Sequence, residues 1–155
     1  MTPELLRRVA LVHGVLAWIS AVALVALAVI LVRLRKDARL SRGIHLAALA
    51  TTTLVTAAFA TGAWLDLPYR VHLRQRLFLA SRALGWLFER KLHLSFGALV
   101  FAGLALVALF AAGPDGHDES SRALRRASRL GYVASAIFAL AACVIGTVVA
   151  TRARF

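Results

Sequence analysis

Four stretches of the chain, residues 9–32, 44–65, 92–112 and 130–150, contain no Asp, Glu, Lys or Arg, and the charged residues gather between them. Each stretch runs for about 21 to 24 residues. A helix rising about 1.5 Å per residue needs about 20 residues to cross a hydrocarbon layer about 30 Å thick. Inside lipid a helix satisfies its own backbone polar groups, so four runs predict four spanning helices. The expected architecture is all-α: an integral membrane four-helix bundle forming a single domain over residues 1–155.

The connections refine this picture. Between the second and third runs, Tyr69-Arg70-Val71-His72-Leu73-Arg74 alternates apolar and polar residues as an extended segment would, and Leu77, Leu84, Leu87 and Phe88 then recur at helical spacing. This predicts an interfacial amphipathic segment between helices 2 and 3, bracketed by the belt-forming aromatics Trp64, Tyr69 and Trp86. Such a segment anchors to lipid or offers a basic, aromatic docking surface. The connection from Gly113 to Ser121 is rich in turn formers and reads as a loop, with Ser120 or Ser121 capping a helix that begins near Arg122. His117, beside Asp115 and Asp118, is either a solvated loop histidine or a weak metal ligand.

The chain is 61% hydrophobic and carries a formal charge of +12. Its basic residues, all arginine except Lys36 and Lys91, flank the runs, so lipid headgroups and topology account for them and a nucleic-acid partner is excluded. The two faces nearly balance in basic residues. The first short loop, with Arg33, Arg35, Lys36, Arg39 and Arg42, outweighs an N-terminus carrying Arg7 and Arg8, which predicts a cytoplasmic loop and outward termini in the inner (cytoplasmic) membrane. The first run exceeds the length of a signal-peptide core and is expected to remain as an anchor. Cys143 has no disulfide partner in the chain and reads as a packing residue.

The runs lack carboxylates, which argues against a proton pump or an ion-coupled transporter. No hydrolase or phosphate-binding motif occurs, so catalytic activity of the chain's own is not expected. The remaining candidates are histidines. His13 lies one turn inside the first run and His93 opens the third, and both runs begin on one face, so the two imidazoles share a depth at which they can ligate one haem b. Gly14 and Gly97 would admit a flat macrocycle between the stripes His13, Ala17, Ser20, Leu24 and His93, Gly97, Val100, Leu104. Arg74 and Arg90, with Arg8 and Lys91, are on the correct face to meet propionates. His72 is a candidate third ligand for a metal ion. The alternative is that all these histidines are structural. His45, Thr52 and Thr56 form a polar stripe suited to interhelical hydrogen bonds, and Gly131, Ser135, Ala139, Cys143 and Gly146 a smooth face suited to a partner.

Several of these residues carry a resemblance. The basic loop running into Gly43-Ile44-His45, the Tyr69-Arg70 connection, His93 at the start of the third run and Arg125-Arg126 before the fourth resemble, in topology far more than in identity, small four-helix bacterial membrane proteins that assist cytochrome oxidase maturation. That family typically also closes its second span with a histidine, where this chain reads Trp64-Leu65-Asp66. A looser resemblance, in histidine placement alone, is to four-helix membrane b-type cytochromes. The resemblance implies a non-catalytic membrane subunit or assembly factor of a respiratory redox complex, with electron transfer if haem is bound. The lipid bilayer and other membrane protein subunits are then its partners. The competing expectation is a cofactor-free bundle that stabilises a larger membrane complex. A channel is disfavoured because no run has a continuous polar stripe.

Overall fold

The computed structural model describes residues 3–34, 40–114 and 118–153. Among them every regular element is a helix: α1 (Pro3–Arg33), α2 (Arg42–His72), α3 (Arg74–Ala80), α4 (Arg82–Ala111) and α5 (Glu119–Ala153). All but α3 are long and apolar enough to cross a membrane. Leu11, Val22, Leu104, Val107 and Ile137 are each more than 60% exposed. So large an outward apolar surface is untenable in water and expected in lipid. The expectations for Arg35, Lys36, Arg39, Asp115, His117 and Arg154 fall outside the described residues.

α1 packs on α2 and α5, α4 packs on the same two helices, and the α4–α5 contact is the most extensive. Small residues make that contact close. Gly131 sits so near α4 that a Cβ there would lie 2.8 Å from Ala105 Cβ and 3.2 Å from the Phe101 carbonyl oxygen. Ser135, fully buried, donates to the Ala98 carbonyl at 2.7 Å. At the other end Lys91 Nζ lies over Gly146. The Gly131–Gly146 face expected to receive a partner is therefore occupied by α4 of the same chain.

The core is built from Leu24, Leu31, Val55, Ala102, Leu109 and Tyr132, among others. Tyr132, fully buried on α5, reaches α2, where its hydroxyl meets Thr52 Oγ1 at 3.1 Å and the Ala48 carbonyl at 3.4 Å. Ser20 of α1 is within hydrogen-bonding reach of its own helix at Leu16 (2.7 Å) and of the Leu54 carbonyl on α2 (3.1 Å). Of the predicted stripe, Thr52 bonds between helices, whereas Thr56 is exposed and bonds within its own helix to the Thr52 carbonyl.

The helices outrun the apolar stretches. The expected extended segment at Tyr69–Arg74 is instead the end of α2, which continues through Pro68, and the start of α3. Two interactions hold the helical form: an i,i+4 pair from Arg70 Nε to Asp66 Oδ2 at 2.7 Å, and Tyr69 packed on Phe88 of α4 with ring centroids 4.2 Å apart. Leu73 marks the break between α2 and α3. Ser81, whose hydroxyl accepts from the Leu84 N–H, caps α4 and divides the single helix that the leucine spacing implied.

At the other end Leu40 N–H donates to the Pro114 carbonyl, joining the two loops, and buried Arg125 donates to the carbonyls of Gly113 and Pro114. Gly113, at φ +66°, supplies the left-handed turn that ends α4. α5 starts earlier than expected, at Glu119, and its cap is Asp118 rather than a serine: the Asp118 carboxylate accepts from the Ser120 hydroxyl and from the Ser121 N–H. Those hydrogen bonds hold this exposed carboxyl below the usual carboxylate range.

Candidate functional site

His13 projects from α1 toward α2. Its Nδ1 is 3.1 Å from Thr61 Oγ1, and the Thr61 hydroxyl is itself positioned to donate to the carbonyls of Ala57 and Ala58 at 3.0 Å. Thr61 Oγ1 is thus the acceptor and Nδ1 carries the hydrogen. The imidazole lies on Gly62, where a Cβ would come 2.7 Å from His13 Cε1. Glycine at 62 is what permits this approach, a role the sequence did not disclose.

His93, on α4, is exposed, and its Nδ1 is 3.1 Å from the Glu89 carbonyl one turn back. A carbonyl only accepts, so Nδ1 donates and the neutral ring presents Nε2 as an acceptor. The ring lines a surface groove of about 290 Å³ between α2 and α4, together with Phe59, Ala63, Asp66, Leu92 and Phe96. Phe59 and Phe96, both in its lining, pack on one another with ring centroids 6.1 Å apart and a tilt of 51°.

These positions do not make the two walls of one slot. The His13 stripe turns inward, ending at buried Ser20 and Leu24, whereas the His93 stripe turns outward, ending at Leu104, which is 63% exposed. The inward face of α4 is Ala98, Ala102, Ala105 and Leu109. Gly14 borders open space, but the notch at Gly97 is filled by the Phe138 ring, 3.6 Å from where a Cβ would be, and Phe138 stacks on Phe101 at 5.5 Å. A haem ligated jointly by His13 and His93 does not fit this packing.

The remaining candidates separate as well. Arg74 donates to Glu89 at 2.8 Å and lies over Phe78, and Arg8 pairs with Glu4 at 3.0 Å, so both already face carboxylates; Arg90 is exposed. His72 is exposed at the end of α2. Lys91 Nζ rests between Gly146 and the Phe88 ring, 5.4 Å from its centroid. His45 donates from Nδ1 to the Ser41 carbonyl and packs edge-on against Phe110. Among the described residues no three His, Cys, Asp or Glu side chains group as a metal site.

No protein-family model, curated protein or solved structure matches the chain.

Proposed function

We propose that this chain is a non-catalytic, multi-pass subunit or assembly factor of a larger complex in the cytoplasmic membrane, of the respiratory redox kind, working through association rather than through a haem of its own. The observation that carries this reading is the end formed by α2, α3 and α4 beyond the apolar runs. Leu67, Val71, Leu79 and Trp86 are all at least half exposed there, interleaved with exposed Arg76, Arg82 and Arg90. Aromatic and arginine side chains are enriched where proteins associate, and the same mixture suits lipid headgroups. In our reading α3 lies at headgroup level as the interfacial amphipathic segment of a four-helix bundle. The 33–43 loop is cytoplasmic and the termini face outward.

Isolation in mild detergent with and without Leu79→Glu and Trp86→Ala tests the proposal. Wild-type protein is expected to carry stoichiometric membrane partners that the substitutions release; a solitary monomer would overturn association. The haem reading retains one favourable feature, since the Nδ1 donors of His13 and His93 leave each Nε2 as the potential iron ligand. Air-oxidised and dithionite-reduced visible spectra decide it. A reduced α-band abolished by His13→Ala or His93→Ala would restore the haem reading against the packing argument.

A further inference from the structure

The groove between α2 and α4 has a polarity that selects a ligand. Asp66 follows the second apolar run and His93 opens the third, so the groove lies at the ends of these runs, on the outside of the bundle between α2 and α4. Its two polar members are both acceptors. His93 offers Nε2, because Nδ1 is committed to the Glu89 carbonyl. Asp66 receives Arg70 on Oδ2 and keeps further acceptor capacity on its carboxylate. The remaining lining, Phe59, Phe96, Ala63 and Leu92, is apolar, and the two phenyl rings pack on each other to form its aromatic surface. At about 290 Å³ the groove is at the small end for ligand pockets, which begin at roughly 300 Å³, and suits one substituted ring rather than a macrocycle.

We propose that this groove binds a membrane-dissolved hydroquinone: an aromatic ring laid against the apolar surface that Phe59 and Phe96 make together, its hydroxyls donating to His93 Nε2 and the Asp66 carboxylate, its hydrocarbon tail left in lipid. Two acceptors at an apolar boundary call for a ligand with two donors, and a hydroquinone is such a molecule with the aromatic body and lipid solubility the lining demands. The oxidised quinone has carbonyls where the hydroquinone has hydroxyls, and carbonyls cannot donate, so the groove discriminates between the two forms. The inference stands independently of the association reading, because it concerns this chain alone.

The test is saturation binding to the full-length protein in lipid nanodiscs under anaerobic conditions. The probes are a decyl-substituted benzohydroquinone, its dimethyl ether and the corresponding quinone. One saturable site is expected for the hydroquinone. The ether and the quinone should bind roughly 30- to 1,000-fold more weakly, as the loss of one neutral hydrogen bond and one to a carboxylate predicts. His93→Ala should weaken the hydroquinone about three- to tenfold, whereas Val107→Ala, on an exposed face outside the groove, should leave it unchanged. Equal affinity for hydroquinone and ether, unsaturable partitioning, or full affinity in His93→Ala would each overturn the proposal. Because the ether comparison uses wild-type protein, it decides the question even if the variant folds poorly.

Discussion

Substituting Gly131 by alanine tests whether the α4–α5 contact limits the stability of the fold. The new methyl would lie 2.8 Å from Ala105 Cβ, 3.2 Å from the Phe101 carbonyl oxygen and 3.4 Å from Ala105 Cα. Carbon atoms pack best at about 3.5–4.0 Å, and two of these neighbours are backbone atoms, so relief requires the helices to separate by several tenths of an ångström. Such overpacking costs about 1–3 kcal/mol. One turn along, the separation also stretches the 2.7 Å bond from Ser135 to the Ala98 carbonyl, and interhelical hydrogen bonds in membrane proteins contribute about 0.6 kcal/mol on average. Opposing this, alanine is better than glycine in a helix by about 1 kcal/mol. Gly103→Ala gives the same propensity gain without the clash, since nothing lies within 4 Å of its Cβ position. The propensity effect cancels between the two variants, which leaves Gly131→Ala the less stable by roughly 1.5–3.5 kcal/mol. Reversible SDS unfolding in mixed micelles, followed by circular dichroism, measures the difference. Ala105→Gly in the Gly131→Ala background removes the nearest clashing carbon and should recover part of the loss. A Gly131→Ala protein as stable as Gly103→Ala would refute the close contact.

The same unfolding assay reads the next two expectations, and hydrogen exchange a third. Gly62→Ala forces the His13 ring off α2 and breaks its bond to Thr61, so Gly62→Ala and His13→Ala should be coupled by about 0.5–1.5 kcal/mol, whereas additive losses would contradict the stacking of that ring on Gly62. Tyr132→Phe and Thr52→Val should each cost about 0.6–1.7 kcal/mol and the double variant little more than Tyr132→Phe alone, since both remove the bond they share and Tyr132→Phe also removes the longer one to the Ala48 carbonyl. Asp118 has its carboxyl held below the usual range in the folded chain, so its contribution to the α5 cap is fully present above the unfolded value of about 3.9 and lost as pH falls below it. Hydrogen exchange in the first turn of α5 should therefore be insensitive to pH-linked opening between pH 8 and 5 and lose protection below about 4, after correction for intrinsic rates. Asp118→Ala should lose that protection at every pH; undiminished protection in the variant would show that the carboxylate does not cap the helix.

The number and position of the long helices were legible because an uninterrupted apolar run about 20 residues long matches the thickness of a bilayer and exceeds what a buried core helix needs. Their ends were not, because apolar counting stops at the first charge while the helix continues. Asp66 and Arg70 are four residues apart, the helical spacing for an ion pair, yet the alternation from Tyr69 to Arg74 suggested extended backbone instead. The larger failure concerned direction around the helix. In a soluble protein the apolar stripe marks the inward face, but in lipid both faces are apolar, and depth can be read from sequence while azimuth cannot. In the stripe His93, Gly97, Val100 and Leu104, expected to wall a slot opposite His13, both His93 and Leu104 are exposed and Gly97 meets Phe138 of α5. Small residues were a better guide than hydrophobic ones: Gly131 and Ser135 do mark a close helix contact, although the partner is α4 of the same chain.

This difference between depth and direction also bears on where function can reside. Three of the polar side chains that point inward are engaged with other helices: His13 with Thr61, Tyr132 with Thr52, Ser135 with the Ala98 carbonyl. Removing such a partner strands a polar atom in an apolar interior, so these groups are committed to holding the helices together. His93 differs because it is exposed and bonds only within its own helix, and Asp66 because its partner, Arg70, is also on its own helix at the end of the apolar run. Both line the groove between α2 and α4, which lies outside the buried core. If chemistry of recognition exists in this chain, the perimeter between α2 and α4 can change its occupant while the interior stays fixed. A His93→Ala variant that loses ligand but keeps its unfolding midpoint, beside a Tyr132→Phe variant that does the reverse, would separate the two roles on one molecule.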